Sequence, residues 1–202
     1  MIKKIYRKIF KYIQRAKLKN HNFTIICDSC VGGVICSELN EAFYTPTINL
    51  SMNGRNFIRF LKNIELYLSQ EIIEVNDSGC IFPVGRLLDI NLYFVHSDSF
   101  HEAKQQWDKR KVRMNYSNLF IVMTENDGCN YSELKDFDEL QFKNKVVFTH
   151  IKYPEINSAF YIKGFESANE IGNIIEYETF YGKRYYDQFS WVKWLNQKNN
   201  QK

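Results

Sequence analysis

Short apolar runs that alternate with helix-spaced segments constrain this chain more than any other feature. Residues 23–26, 90–95, 119–123 and 146–149 are almost wholly apolar or β-branched, and the first three lead through polar turns into segments with helical spacing. Strands that are apolar on both sides suit a parallel sheet covered on both faces. Alternating strands and helices imply βαβ units. The predicted fold is therefore an α/β single domain, a three-layer Rossmann-like arrangement with a mostly parallel sheet and helices on both faces. Residues 45–50 and 71–75 predict shorter strands, 56–69 one amphipathic helix, 82–86 a loop, and 169–175 a polar helical run in a C-terminal part of different character that starts near 159–162.

The 202 residues, 45% of them hydrophobic, suffice for one sizeable core. The net charge of +4 hides an uneven distribution: residues 1–20 hold eight Lys or Arg and no acid, leaving −4 on the rest. A nucleic-acid binder spreads basic surface over its folded domain, so nucleic acid is not an expected partner. We divide the chain into a basic amphipathic helix at 1–20, an α/β domain at 21–195 and a disordered polar tail at 196–202. Ile2, Ile5, Tyr6, Ile9, Phe10 and Ile13 share one face of that helix. Such a helix either binds an anionic membrane surface or packs on the domain with its basic face in water. Five cysteines, with no paired CxxC motifs and no signal peptide, point to reduced thiols and a cytoplasmic chain, peripheral on the inner face of the membrane if the helix binds lipid.

The most informative turn follows the first strand, in Cys27-Asp28-Ser29-Cys30-Val31-Gly32-Gly33. At the carboxyl end of a parallel strand, such a turn faces the ligand crevice. Cys30 at a helix N-terminus is expected to have a lowered pKa, with His96, at the end of the 90–95 strand, as its base. Asp28 would orient the imidazole or bind substrate. Gly32 and Gly33 would let the backbone approach a substrate and present N–H groups to an oxyanion. Asp127, past the 119–123 strand, would join them on the same sheet edge. Arg110 and Arg113, three apart on a helix, could clamp a phosphate or carboxylate, and Arg184 beside Tyr185 and Tyr186 offers another cation. His150 ends a shorter strand and is a weaker candidate. No metal-ligand spacing, GxGxxG or phosphate-binding loop occurs, so no metal is expected. The reaction these residues suggest is acyl transfer through a thioester. A binding protein that uses the arginines and aromatic tail would leave Cys30 dispensable.

Residues 23–33, 46–50, 83–85, 94–96, 103–113, 124–129 and 184–191, in this order and spacing, resemble a bacterial family known as DUF1919, a domain of unknown function, over residues 22–195. That resemblance implies exopolysaccharide or capsule biosynthesis. It further implies a transferase acting on a sugar or lipid-linked glycan, such as an acetyltransferase using coenzyme A (acetyl-CoA), or else a non-catalytic glycan or lipid-phosphate binding protein. In that family the position of His150 is not a histidine, which favours His96.

Overall fold

In the computed structural model, which describes residues 2–197, four strands form an all-parallel sheet and three form a small antiparallel one. Helix α1 (Ile2–Lys17) is followed by β1 (Thr24–Cys27) and α2 (Val31–Leu39), then by α3 (Gly54–Lys62) and α4 (Ile64–Ser69). Next come β2 (Ile73–Val75), β3 (Val84–Leu87), β4 (Ile90–Tyr93), α5 (Phe100–Lys111), β5 (Leu119–Thr124) and α6 (Tyr131–Asp138). Strands β6 (Lys145–Thr149) and β7 (Ala159–Tyr161) and helix α7 (Trp191–Leu195) complete the chain. The parallel sheet runs β1-β5-β6-β7, the other β2-β3-β4.

Because side chains alternate across a strand, the parallel sheet builds two cores. Ile26, Ile121, Met123 and Val147 pack with Phe57 and Phe60 of α3, Trp107 of α5 and Phe137 of α6. On the opposite face Ile25, Cys27, Phe120, Val122, Val146 and Phe148 meet Ile35 of α2 and the C-terminal Tyr186, Trp191 and Leu195. The three-layer expectation is met, with the aromatic C-terminal segment forming part of one outer layer.

Several sequence expectations change. Residues 90–95 do not form a parallel strand: β4 pairs antiparallel with β3, which occupies the stretch expected as a loop. Its alternation is visible in hindsight, since Ile90, Leu92 and Phe94 are buried while Asn91, Tyr93 and Val95 are half-buried. Gly85 makes that pairing possible, because a Cβ there would lie 2.5 Å from Ile72 Cγ2 and 3.0 Å from Phe94 Cε2. Residues 45–50 form turns, with Asn49 in the left-handed region at φ 66°. They serve the sheet through a side chain, as Thr47 Oγ1 accepts the Cys27 N–H at 3.1 Å on the outer edge of β1. Residues 56–69 fall within two helices, broken at Asn63, whose backbone (φ −140°, ψ 45°) is not helical. Residues 169–175 form no helix; Ile171 and Ile174 are buried instead, and the Ile171 N–H is held by the Glu125 carbonyl at 2.9 Å.

Helix α1 packs on α2 and the C-terminal segment around a buried cation. Arg7 donates to Glu38, Asp187 and the Tyr186 hydroxyl, and its guanidinium lies 4.8 Å from the Phe10 ring centre. Lys11 adds an ion pair to Glu38 at 3.3 Å, and Arg15 Nε donates to the Glu38 carbonyl at 2.8 Å. Asn196, just past α7, is tied down as well, since its Oδ1 accepts from the Lys19 and Asn20 amides. Of the expected disordered tail, residues 198–202 lie outside the described residues.

At the other end of β1, Asp28 binds β5. Its buried carboxylate accepts the Thr124 amide at 2.8 Å and the Thr124 hydroxyl at 3.1 Å. Burial outweighs these bonds and pushes its pKa from 3.8 to about 7.

Two predictions follow from these buried charges. Replacing Arg7 with Met leaves Asp187 without its ion pair and Glu38 with Lys11 alone, so urea unfolding should show a loss of about 3–5 kcal/mol, and proteolysis should cut sooner between α1 and β1. A wild-type midpoint would remove Arg7 from its role. For Asp28, a pKa raised in the folded state means that its proton is held more firmly there. Its stabilising share is complete below 3.8 and is lost as pH climbs through about 7. The stability difference between wild type and Asp28→Asn should therefore shift against wild type over that window, and a pH-independent difference would contradict the buried ionisation.

Candidate functional site

The candidate site lies where the two sheets meet. Strand β1 ends at Cys27, and the chain turns through Asp28 and Ser29 so that Cys30 becomes the N-cap of α2. His96 arrives from the turn after β4. A short bridge brings them together: the Met52 amide donates to the Asp28 carbonyl at 2.9 Å, and Ser51 exchanges two backbone hydrogen bonds with Tyr93 at 2.8 and 3.1 Å. The result is a contact of 3.1 Å between His96 Nε2 and Cys30 Sγ.

This pair faces an open cleft of about 370 Å³, whose polar rim includes Lys11 from α1, Ser37, Asn49 and Arg184. Arg184 is held by the Ile175 carbonyl at 3.0 Å and lies 5.0 Å from the Tyr177 ring centre. The cleft wall thus holds two cations, Arg184 and Lys11, the latter paired with Glu38 at 3.3 Å in the same wall, and these could meet an anionic group on a ligand. A neighbouring cavity of about 390 Å³ between α1, α2 and the C-terminal segment shares Lys11 and Glu38 with the cleft but has neither thiol nor imidazole in its wall.

The other predicted residues separate. Gly33 lines the cleft, and the first-turn N–H groups of α2 have no intrahelical partner. Gly32 does not line it: a Cβ there would stand 3.0 Å from Cys27 Cβ and 3.1 Å from Ile25 Cγ2, so this glycine lets α2 approach the sheet. Asp28 does not touch His96, because both carboxylate oxygens are turned to Thr124. Among the described residues no side chain other than Cys30 bonds the His96 ring, so the pair is a dyad. Asp127, with φ 53°, lies on the loop whose Gly128 amide donates to Glu170, and it is absent from the cleft wall. Arg110 lines a smaller cavity of about 130 Å³ that shares Ile48, Asn49 and His96 with the cleft, and it donates to the Ile48 carbonyl at 3.2 Å. Arg113 is exposed beside it and lines neither space.

The thiol is not in the state expected from its helix position. Burial and then the Asp28 carboxylate push the Cys30 pKa up, so the resting form is the thiol. The CxxC partner Cys27 is buried under the sheet with its pKa pushed far up by the same two causes, as befits a packing residue. All five cysteines are free. Among the described residues no group of His, Cys, Asp or Glu is arranged to hold a metal ion, and no helix is long and apolar enough to cross a membrane.

Two features escaped the sequence reading. Lys11 reads in the sequence only as one of the basic head residues, because its place in the cleft wall depends on how α1 docks. Glu125 forms a buried cluster at the sheet edge, accepting from the His150 amide at 2.9 Å and the Tyr153 hydroxyl at 2.7 Å and pairing with His150 Nδ1 at 2.6 Å. His150 is thereby engaged in joining the ends of β5 and β6, away from the cleft.

Comparison with known sequences agrees with this single-domain arrangement. The family described as "Domain of unknown function (DUF1919)" matches residues 1–196, and so includes α1 as well as the α/β domain. An uncharacterized protein of Haemophilus influenzae is 45% identical over 188 residues, covering 93% of this chain and 90% of that protein. With its fold, its Cys30–His96 cleft and its docked N-terminal helix inside one matched region, the chain belongs to the DUF1919 family.

Proposed function

We propose that the protein is an acyltransferase in which Cys30 is the nucleophile and His96 the general base. The observation that carries this reading is the 3.1 Å contact between Sγ and Nε2 at the edge of an open cationic cleft. Because burial and Asp28 keep Cys30 as the thiol at rest, attack would require His96 to take its proton. Cys30 Sγ would attack the carbonyl carbon of an acyl thioester such as acetyl-CoA while His96 Nε2 takes the thiol proton. The donor's sulfur would leave with that proton. A sugar hydroxyl would then attack the Cys30 thioester, losing its proton to His96, which returns it to Sγ as the C–S bond breaks. First-turn N–H groups of α2, including that of Gly33, would face the developing oxyanion. Lys11 and Arg184 would hold phosphate, on the donor or on a lipid-linked acceptor. The acceptor class, a glycan or its lipid-linked precursor in exopolysaccharide or capsule assembly at the inner membrane face, rests on the family resemblance.

A second reading is favoured by two observations: burial and Asp28 hold Cys30 as a thiol, and among the described residues no third group orients His96. In that case the cleft binds a glycan or lipid phosphate without chemistry, through Lys11 and Arg184.

The two readings separate on reactivity. Incubation with acetyl-CoA followed by intact-mass analysis should show one acetyl group on Cys30, absent from Cys30→Ala. Acylation at neutral pH should slow by about tenfold or more in His96→Ala, as loss of a general base predicts. Equal labelling of wild type and Cys30→Ala, or an unlabelled Cys30 beside phosphate-dependent ligand binding, would replace acyl transfer with the binding function.

A further inference from the structure

We infer that α1 is a membrane-surface anchor that uses its two faces at once, one locked to the domain and the other presented to an anionic bilayer. This inference goes beyond the chemistry of the Cys30 cleft and does not depend on it.

The apolar residues of the helix do not all do what their common face suggests. Tyr6 and Phe10 turn toward the domain together with Arg7, which is only 5% exposed. Ile2, Ile5, Ile9 and Ile13 point away from it, with 62%, 52%, 56% and 41% of their surface exposed, and Tyr12 joins them at 74%. Their spacing of three and four residues makes one stripe along the outer side of the helix. The buried Arg7 cluster stops the helix from rolling to hide that stripe, because any roll would strip Glu38 and Asp187 of their cation.

The charges around the stripe identify its occupant. Lys4, Lys8 and Arg15 are exposed along one flank and Lys3 and Lys17 along the other, with no acidic residue in the helix. Two copies meeting through this face would bring like charges together. An anionic lipid surface instead accepts the isoleucines among its acyl chains and the cations at its headgroups. A further exposed ring stands near the helix: Phe180, 80% exposed, packs edge-on against Tyr181, whose ring in turn meets Tyr6. Lys11 of the same helix lines the Cys30 cleft and pairs with Glu38 on the domain side, so a lipid-bound α1 would carry that cleft on the side opposite the stripe.

Co-sedimentation of the full chain with phosphatidylcholine vesicles, with and without phosphatidylglycerol, tests this. Wild type should partition onto the anionic vesicles, release with rising salt, and bind neutral vesicles weakly. The double variant Ile5→Glu/Ile9→Glu, at positions that face water, should keep the wild-type circular dichroism and lose binding by roughly tenfold or more. Lys4→Glu/Lys8→Glu should weaken binding and flatten its salt dependence. No wild-type binding to anionic vesicles, or binding that survives the glutamates, overturns the proposal. So does a wild-type dimer in sedimentation that the glutamates convert to monomer without any vesicle binding, which would make the stripe an interface between copies.

Discussion

Asp28 holds three parts of this protein in one place. Its carboxylate accepts the amide and hydroxyl of Thr124 at the end of β5, its own amide donates to the Val122 carbonyl, and its carbonyl takes the Met52 amide. Through Met52 and Ser51 the end of β1 is joined to β4 and so to the antiparallel sheet. A buried carboxylate is costly, and here its proton affinity rises because the hydrogen bonds only partly replace water. What the cost secures is position: two residues on, Cys30 begins α2, and three residues past Tyr93, His96 meets it. The acidic residue next to the thiol is thus a structural fastener that also raises the thiol's pKa.

The N-terminal helix shows a second use of burial. A guanidinium between Glu38 and Asp187, with Tyr186 bonded to both Arg7 and Glu38, fixes α1 in one rotation about its axis. The same rotation sends Lys11 toward the cleft and the isoleucines toward solvent. The exposure of the isoleucines and the composition of the cleft are therefore linked by one helix orientation. The family match reaches through α1, in keeping with a helix that is part of the domain rather than an appendage.

The sequence was most legible where one strand supplies both cores. Strands β1, β5 and β6 are apolar at every turn of the backbone because both of their faces are covered, and their boundaries were found within a residue or two. In the fold, α5 starts at Ser99, which accepts the Glu102 amide, and α6 at Asn130, which forms a reciprocal box with Glu133. Residues 90–95 misled because a one-sided strand ending in Tyr93, Phe94 and Val95 is as apolar in composition as a two-sided one. The prediction that His96 would approach Cys30 was correct, yet its stated reason, a shared edge of one parallel sheet, was not.

Local composition alone determined the α/β class, the strand–turn–helix that presents Cys30, and the amphipathic, basic character of α1. Those are properties of neighbours in sequence, where periodicity and capping operate. Only the tertiary structure decided that Gly32 serves packing and Gly33 the cleft, that Asp28 serves Thr124 instead of His96, and that Asp127 and Arg113 stand apart from the cleft wall. It also decided which side of α1 faces out, because that choice was made by Glu38 and Asp187, residues 31 and 180 positions from Arg7. Contacts across such separations leave no periodic trace in the chain, since each partner is a lone polar residue whose meaning depends on what folds against it.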